Sequence, residues 1–567
     1  MKKISAIILP MMLAAFMLIG SPAIISKADG TSYPVTDGEE LRLLSYNIAQ
    51  GVSAPGTITL QNDITVTKNI WLASDVTLDL NGHTLTGNTN GSILFTDATY
   101  GENKGGFEKY KNITIKNGNI KKADSVATGM VIIGHATNVV VDHVNFSGAV
   151  DCHMLELGAC KKATITNCTF KDGKYSTAED KGAYEALSLD IASEGNFSVK
   201  PFDDTACEDV AVSACIFEGV PRAFGAHRIQ AGHFFNNISV KGCTFKNILG
   251  TAIETIGWTN SIVDGNTLDG VGFGVDCRPS DKQVGGNPGS YDANITISNN
   301  TITLKTSKGK TPCGIRISGI LNSKTLLGGY KVTDNKVLGP HAYAVYAGYV
   351  KNSTISGTTT EGASINGIRV EYCDGVTVSG NTISKTKGTK SPHGIALISN
   401  NNDLVKENTI TNPGAVGIFI QGSQNGQIIG NTIKKAKTYG ITVCKNAVVS
   451  LIAENTIVKP KKNGIDVQGK KSQILTTRGN KITKPGNRPY GGNGKYLAAD
   501  EGILTLKKGK SSTISTYGQK GKTKYSTEDK SIATVDSKGK IVTKGKGTTT
   551  VTAKKGKYSA QVTITVK

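Results

Sequence analysis

The stretch Val376-Thr377-Val378-Ser379-Gly380-Asn381-Thr382-Ile383 decides the fold. A short alternating strand runs into a Gly-Asn turn, and a second alternating segment leaves it. The turn returns as Gly430-Asn431-Thr432-Ile433, and in related form at Asn266, Asn300, Asn408 and Asn455. Placing that Asn in register gives the column Gly118, Val144, Cys168, Cys215, Cys243, Asn266, Asn300, Asn335, Thr358, Asn381, Asn408, Asn431, Asn455, Asn480, with most steps 23 to 28 residues long. Past a variable loop comes a second signature, as in Asn366-Gly367-Ile368-Arg369-Val370, His393-Gly394-Ile395-Ala396-Leu397 and Asn463-Gly464-Ile465-Asp466-Val467.

A fixed period in this range, with several short strands per unit, marks a solenoid. One unit cannot bury its apolar face alone, so units must stack, their strands about 4.7–4.9 Å apart. Asn tolerates the left-handed turn, and its amide reaches the Asn above and below. Residues and register together resemble the right-handed parallel β-helix of the pectin-lyase-like superfamily, over residues 56–497. That superfamily holds lyases, hydrolases, epimerases and inert adhesins, so the resemblance implies an all-β fold and leaves the activity open.

The chain opens Met1-Lys2-Lys3, continues with an apolar run to about Ile19, and reaches small residues before Ala28. This pattern predicts a secretory signal peptide over 1–28. No other apolar run has the roughly 18 residues of a membrane span. The expected location is therefore secreted or at the cell surface of a bacterium. The net charge of +21 is unevenly spread: 1–28 carry +3, 434–500 carry +11, 501–567 carry +11, and 29–433 carry −4. A basic C-terminal third in an exported protein favours an anionic cell-wall polymer over nucleic acid. A solvated Lys-rich face explains the same charge. A monomer is expected.

Ten Cys in an exported chain ordinarily suggest disulfides. Here Cys168, Cys215 and Cys243 replace Asn in the turn column. Cys160, Cys207, Cys373 and Cys444 are placed in a second column at a strand start. Small, partly buried stacking positions suit a ladder of free thiols, although neighbouring coils would permit a bridge such as Cys160–Cys207.

Residues 29–55 read as an irregular lead-in, with Leu41-Arg42-Leu43-Leu44 capping the open end of the helix. Insertions at 172–184, 192–206 and 278–292 flank the strands Glu185-Ala186-Leu187-Ser188-Leu189-Asp190 and Gly274-Val275-Asp276-Cys277. Scaffold-held loops are where function concentrates. Pro485 to Gly494 reads as a linker. The segment 501–567, rich in Lys, Thr and Gly turns, resembles a group 2 bacterial immunoglobulin-like domain, which implies a small β-sandwich used as a spacer or adhesive module.

In the superfamily that this chain resembles, the strand after the variable loop lines the substrate groove. That maps onto the Gly-Ile-x-Val signature, where Ile and Val point in and x points out by the period-2 rule. The outer column reads Glu156, Ser188, Gly225, Glu254, Asp276, Arg316, Tyr346, Arg369, Ala396, Phe419, Thr442, Asp466. A neighbouring outer column adds Asp190, His227, Arg278 and Glu371. Stacked acids repel unless a cation or an Arg lies between them.

Three chemistries fit. A lyase would use calcium at Glu156, Asp190, Glu254 and Asp276 to neutralise a uronate, with His227 or an Arg as base. A glycoside hydrolase would use two carboxyl groups from Glu254, Asp276 and Asp190. The groove could also only bind a glycan, as in a non-catalytic surface adhesin. Glu254, Asp276, Asp190 and His227 are thus the catalytic candidates. Glu156, Glu185, Arg228, Trp258, Arg278, Arg316, Tyr346 and Arg369 are the substrate-binding ones, with Trp258 as a sugar-stacking platform. The Asp203-Asp204 pair lies in an insertion and reads as a turn. No catalytic motif of the polygalacturonase, pectate-lyase or alginate-epimerase kind is present to transfer.

Overall fold

A computed structural model describes residues 30–567 except 90, 97–104, 124–128, 175–183, 227–228, 230–231, 280–288, 307–310, 321–324 and 390–391. The signal peptide expected over 1–28 lies outside the described residues. Each coil is built from three short parallel strands. In one coil these are Asn366–Glu371, Thr377–Ser379 and Thr382–Ser384. The first strands of successive coils form one parallel sheet of 16, from Ile70–Leu72 to Tyr490–Gly492. This is called the face sheet below. The fold is a right-handed parallel β-helix.

The Asn column is the spine of the stack. Asn381 is buried, and both its backbone N–H and its Nδ2 donate to Oδ1 of Asn408, at 3.0 and 2.8 Å. Asn408 repeats this on Asn431, Asn431 on Asn455, and Asn455 on Asn480, all at 2.9–3.1 Å. A second run links Asn266, Asn300 and Asn335. At the break Thr358 donates its N–H to Asn381 Oδ1, but its own hydroxyl has no partner. Upstream, Cys243 N–H donates to Asn266 Oδ1 at 2.9 Å, after which thiols replace amides.

All ten Cys are free and buried, so the ladder of thiols holds and no Cys160–Cys207 bridge forms. Burial drives the Cys207 thiol well above its ordinary range. The second Cys column is partly corrected: Cys444 pairs in register with Gln421 at the end of the face-sheet strand, one position before the turn. The position of Cys373 passes instead to Asn400 and Ser423.

The interior is a ladder of Ile, Val and Leu. In the first half it also carries a parallel ring stack, Phe146–Phe170–Phe217–Phe245, with centroids 4.7–4.9 Å apart. The Gly of the Gly-Ile-x-Val signature has a packing cause. A Cβ at Gly417 would lie 2.5 Å from Cγ2 of Ile433 and 2.6 Å from the Gly440 carbonyl. The Ile of each Asn-Thr-Ile turn therefore requires Gly across the coil.

Both ends of the solenoid are covered, as exposed edges and core demand. The lead-in is a strand, Ser32–Val35, followed by an α-helix, Gly38–Ala49. Asp37 caps this helix, accepting from the N–H groups of Glu39 and Glu40, and Leu41, Ser45 and Ile48 face inward. This corrects the expectation of an irregular lead-in. At the other end, Pro485 to Gly494 is no linker, because Tyr490–Gly492 is the last strand of the face sheet. The C-terminal segment folds into mostly antiparallel strands with their own apolar cluster, including Ile541, Val551, Val562 and Ile564. Its strand Tyr558–Val566 pairs in parallel with Gln473–Arg478, so the segment continues a solenoid sheet.

Asn408→Ala removes the acceptor of two Asn381 donors and the donors to Asn431, Val378 and Lys406. Buried groups left unpaired cost about 1–3 kcal/mol each. The variant is expected to lose at least about 2 kcal/mol, read as a lower urea midpoint at unchanged slope.

Candidate functional site

The face sheet has the register read from the sequence. Glu156 pairs with Ser188, Ser188 with Gly225, Gly225 with Glu254, Glu254 with Asp276, and Asp276 with Arg316. Arg316 then pairs with Tyr346, Tyr346 with Arg369, Arg369 with Ala396, and Ala396 with Phe419. The inward neighbours, such as Ile253, Val275 and Ile315, are sealed in the core.

Arg222 joins the first acidic cluster. Its Nη1 lies 3.3 Å from Oε1 of Glu185 and 3.4 Å from Oε2 of Glu254, so one guanidinium spans both carboxylates. Glu185 is fully buried, and its carbonyl meets Nδ1 of His153 at 2.7 Å. Glu254 reaches this cluster over Gly225, where an added Cβ would sit 2.7 Å from the Glu254 Cβ. Burial pushes the Glu254 carboxyl up to about 7 against the pull of Arg222, and the charges of Glu185 and Asp276 add to the rise. A carboxyl raised in this direction keeps its proton closer to neutrality, as a general acid needs.

Asp276 sits one rung on and is neutralised differently. Nε of Arg316 donates to its Oδ1 at 2.6 Å, the Arg316 Nη2 bonds Oδ2, and Arg278 Nε donates to Oδ2 at 3.1 Å. Phe273 backs the Arg316 guanidinium, 5.1 Å from its ring centroid. Further along, Glu371 accepts from the Tyr346 hydroxyl and from Arg369 Nε at 2.8 Å. His393 and Phe419 continue the face as rings stacked 4.3 Å apart.

The insertion after Asp190 forms a wall. Phe197 and Val199 pack with Ile132 and Ala159 on the outside of the face sheet. Gly134 and Gly158 leave room for them, since a Cβ at Gly158 would lie 2.5 Å from the Phe197 ring. Asp203 ties the insertion down by accepting the Gly106 N–H at 2.5 Å, and His135 reaches the Pro201 carbonyl at 2.9 Å. Asp190 accepts from Ser188 Oγ at 3.0 Å and from Asn196 Nδ2 at 3.2 Å. Along the face sheet Glu156, Ser188, Glu254 and Asp276 are 7, 0, 2 and 2 % exposed. The guanidiniums of Arg222, Arg278, Arg316 and Arg369 are partly exposed and rim the acids.

Several sequence expectations change. Trp258 is no sugar platform: it is 1 % exposed, pairs with Phe235, and tilts against Phe224 in the core. Calcium has no nest at Glu156, Asp190, Glu254 and Asp276. Among the described residues no group of three or more His, Cys, Asp and Glu gathers as a cation site, and Arg222, Arg278 and Arg316 supply the positive charge at Glu254 and Asp276. His227 and Arg228 lie outside the described residues. Arg222 and His153 were missed; Arg222 carries the parity of inward-facing Phe224, and nothing in the local pattern marks either one.

A family model described as a right handed beta helix region matches residues 314–482. Among curated proteins none matches the chain. Solved structures similar to it include PfbA, a surface adhesin of Streptococcus pneumoniae, at 12% identity, covering 91% of this chain and 100% of that one, TM-score 0.45. A tailspike protein mutant of E. coli bacteriophage HK620 in complex with a pentasaccharide shares 11% identity over 93% of this chain and 88% of that one, TM-score 0.47. The A-module of the Azotobacter vinelandii mannuronan C-5 epimerase AlgE6 shares 13% identity over 76% and 99%, TM-score 0.38. At such identities no site residue carries over.

Gly225→Ala is expected to push Glu254 away from Arg222, because the new Cβ would also meet the Glu254 carbonyl at 2.5 Å. Overpacking of this kind costs about 1–3 kcal/mol. Thermal unfolding of the variant beside the wild type checks it.

Proposed function

We propose that this is an exported, carbohydrate-active protein that cleaves a polysaccharide by general acid–base hydrolysis on the face sheet, with Glu254 as the acid. The observation that carries the reading is Glu254 itself, a buried carboxyl pushed up to about 7 between Glu185 and Asp276 and held by Arg222. In its protonated form it can donate to a glycosidic oxygen as the bond breaks. A carboxylate is then needed to take a proton from water. Asp190 is assigned that role: its strand lies two rungs from Glu254 and it stands two residues further along, so the two backbones are roughly 11–12 Å apart at ordinary strand spacing and rise. Side chains reaching toward each other bring the carboxyl groups toward the wider separation, about 6.5–9.5 Å, that leaves room for a water in inverting enzymes. Asp276, paired with two guanidiniums, keeps Arg316 and Arg278 aimed along the groove to hold substrate. Residues 501–567 act as an immunoglobulin-like module, and the basic C-terminal third holds the protein to an anionic wall polymer.

One observation favours a second reading, a glycan-binding adhesin without turnover. Glu185, Glu254 and Asp276 are almost sealed, and each has an arginine counter-ion, which suits a structural ion-pair network equally well.

The full chain, incubated with neutral and uronate-containing polysaccharides, separates the two. Reducing ends without absorbance of an unsaturated sugar are expected, with Glu254→Gln at least about 100-fold slower. Turnover should fall as pH rises through about 7, where the acid form is lost. Undiminished release by Glu254→Gln would remove Glu254 as the acid, and silence on every substrate would favour the adhesin.

A further inference from the structure

The turn that follows the face-sheet strand is left-handed in several coils. His135, Ala159, Ser399 and Lys445 occupy it with φ of 53°, 51°, 54° and 49°, and Gly422 with 64°. Ala159, Ser399, Gly422 and Lys445 are small or flexible, as suits a position where a bulky side chain is strained, and the His135 ring is held there by the Gly106 and Pro201 carbonyls. Two consecutive coils break the rule. Tyr349 and Tyr372 both have φ 56°, and both still donate their N–H to the ladder, at 3.1 and 2.9 Å. The left-handed φ belongs to the turn that these coils share, and nothing in the backbone bonding calls for a tyrosine in it.

Their rings stack with centroids 5.0 Å apart and 23° between planes. Tyr349 lies over Gly319, where a Cβ would be 3.1 Å from its own. Tyr372 is 47% exposed, and among the described residues its only ring partner is Tyr349. The next two rungs of the same column are Ser399 and Gly422, so no bulky side chain of that column takes the next place. The residue preceding Tyr372 is Glu371, which binds Tyr346 and Arg369 on the partly exposed half of the face sheet. A flat, exposed, tyrosine-built step thus adjoins a row of hydroxyl, guanidinium and carboxylate groups.

We infer that Tyr349 and Tyr372 form a glycan-binding subsite, in which the apolar face of a pyranose ring stacks on Tyr372 above the Ser399 and Gly422 rungs. A pyranose matches the dimensions of a rung and the chemistry of the place, with C–H groups for the ring and hydroxyls for the groups beside it. The inference rests on the glycan reading above and adds a subsite several coils from Glu254. It would hold the chain being cleaved, or serve alone in a protein that only binds.

The full chain applied to a printed array of neutral and acidic glycans, with titration calorimetry on the strongest hit, tests this. Tyr372→Ser gives this turn the residue that the next coil already carries there, so the fold should survive. Tyr349→Ser removes the backing ring. Binding is expected to weaken at least about tenfold in each, which is about 1.4 kcal/mol. No bound glycan, or wild-type affinity in Tyr372→Ser, would overturn the subsite. Loss of turnover in Glu254→Gln with unaltered binding in Tyr372→Ser would overturn the subsite alone and leave the cleavage reading standing.

Discussion

One bond, repeated from Asn266 to Asn335 and from Asn381 to Asn480, sets the register of those coils: a buried Asn amide donating to the side-chain oxygen of the next Asn. Each of these oxygens also accepts the backbone N–H of the Asn before it, so side chain and backbone are fixed together. A one-residue slip in any strand would carry its apolar side chains outward. The amide column forbids that slip. Because register is fixed at the turn, the position of each outward side chain on the face sheet follows two strands later.

This explains why the outer column was legible one residue at a time. Glu156 through Phe419 sit where the alternation puts them, since Ile and Val between them have no other place to go. What failed has a common cause. Trp258 lies in a two-residue strand beside an irregular turn, where period-2 counting has nothing to lock onto. Arg222 stands at a strand start with inward parity, yet meets Glu185 and Glu254. The wall of Phe197 and Val199 belongs to an insertion, which has no repeat to read.

The charges on the face sheet are not required by the stack. The same column is filled by Ala396, Phe419 and Thr442 in later coils, and those coils are equally well paired. Burying Glu185, Glu254 and Asp276 instead means desolvating three acids and supplying Arg222, Arg278 and Arg316 to balance them. Such pairs rarely gain stability over an apolar isostere. A local concentration of buried, paired charges that the architecture could do without points to a functional site. The two Tyr in left-handed turns follow the same logic at smaller scale: the fold tolerates them without needing them.

The most direct test is the titration of Glu254 itself. Carbon-detected NMR of the full chain with labelled glutamate, assigned by the signal missing in Glu254→Gln, reports that carboxyl alone. A midpoint near 7 is expected if burial between Glu185 and Asp276 outweighs the arginines. A midpoint in the ordinary range of about 4.3 would mean that Arg222 simply neutralises an ionised carboxylate, and Glu254 could not be the acid.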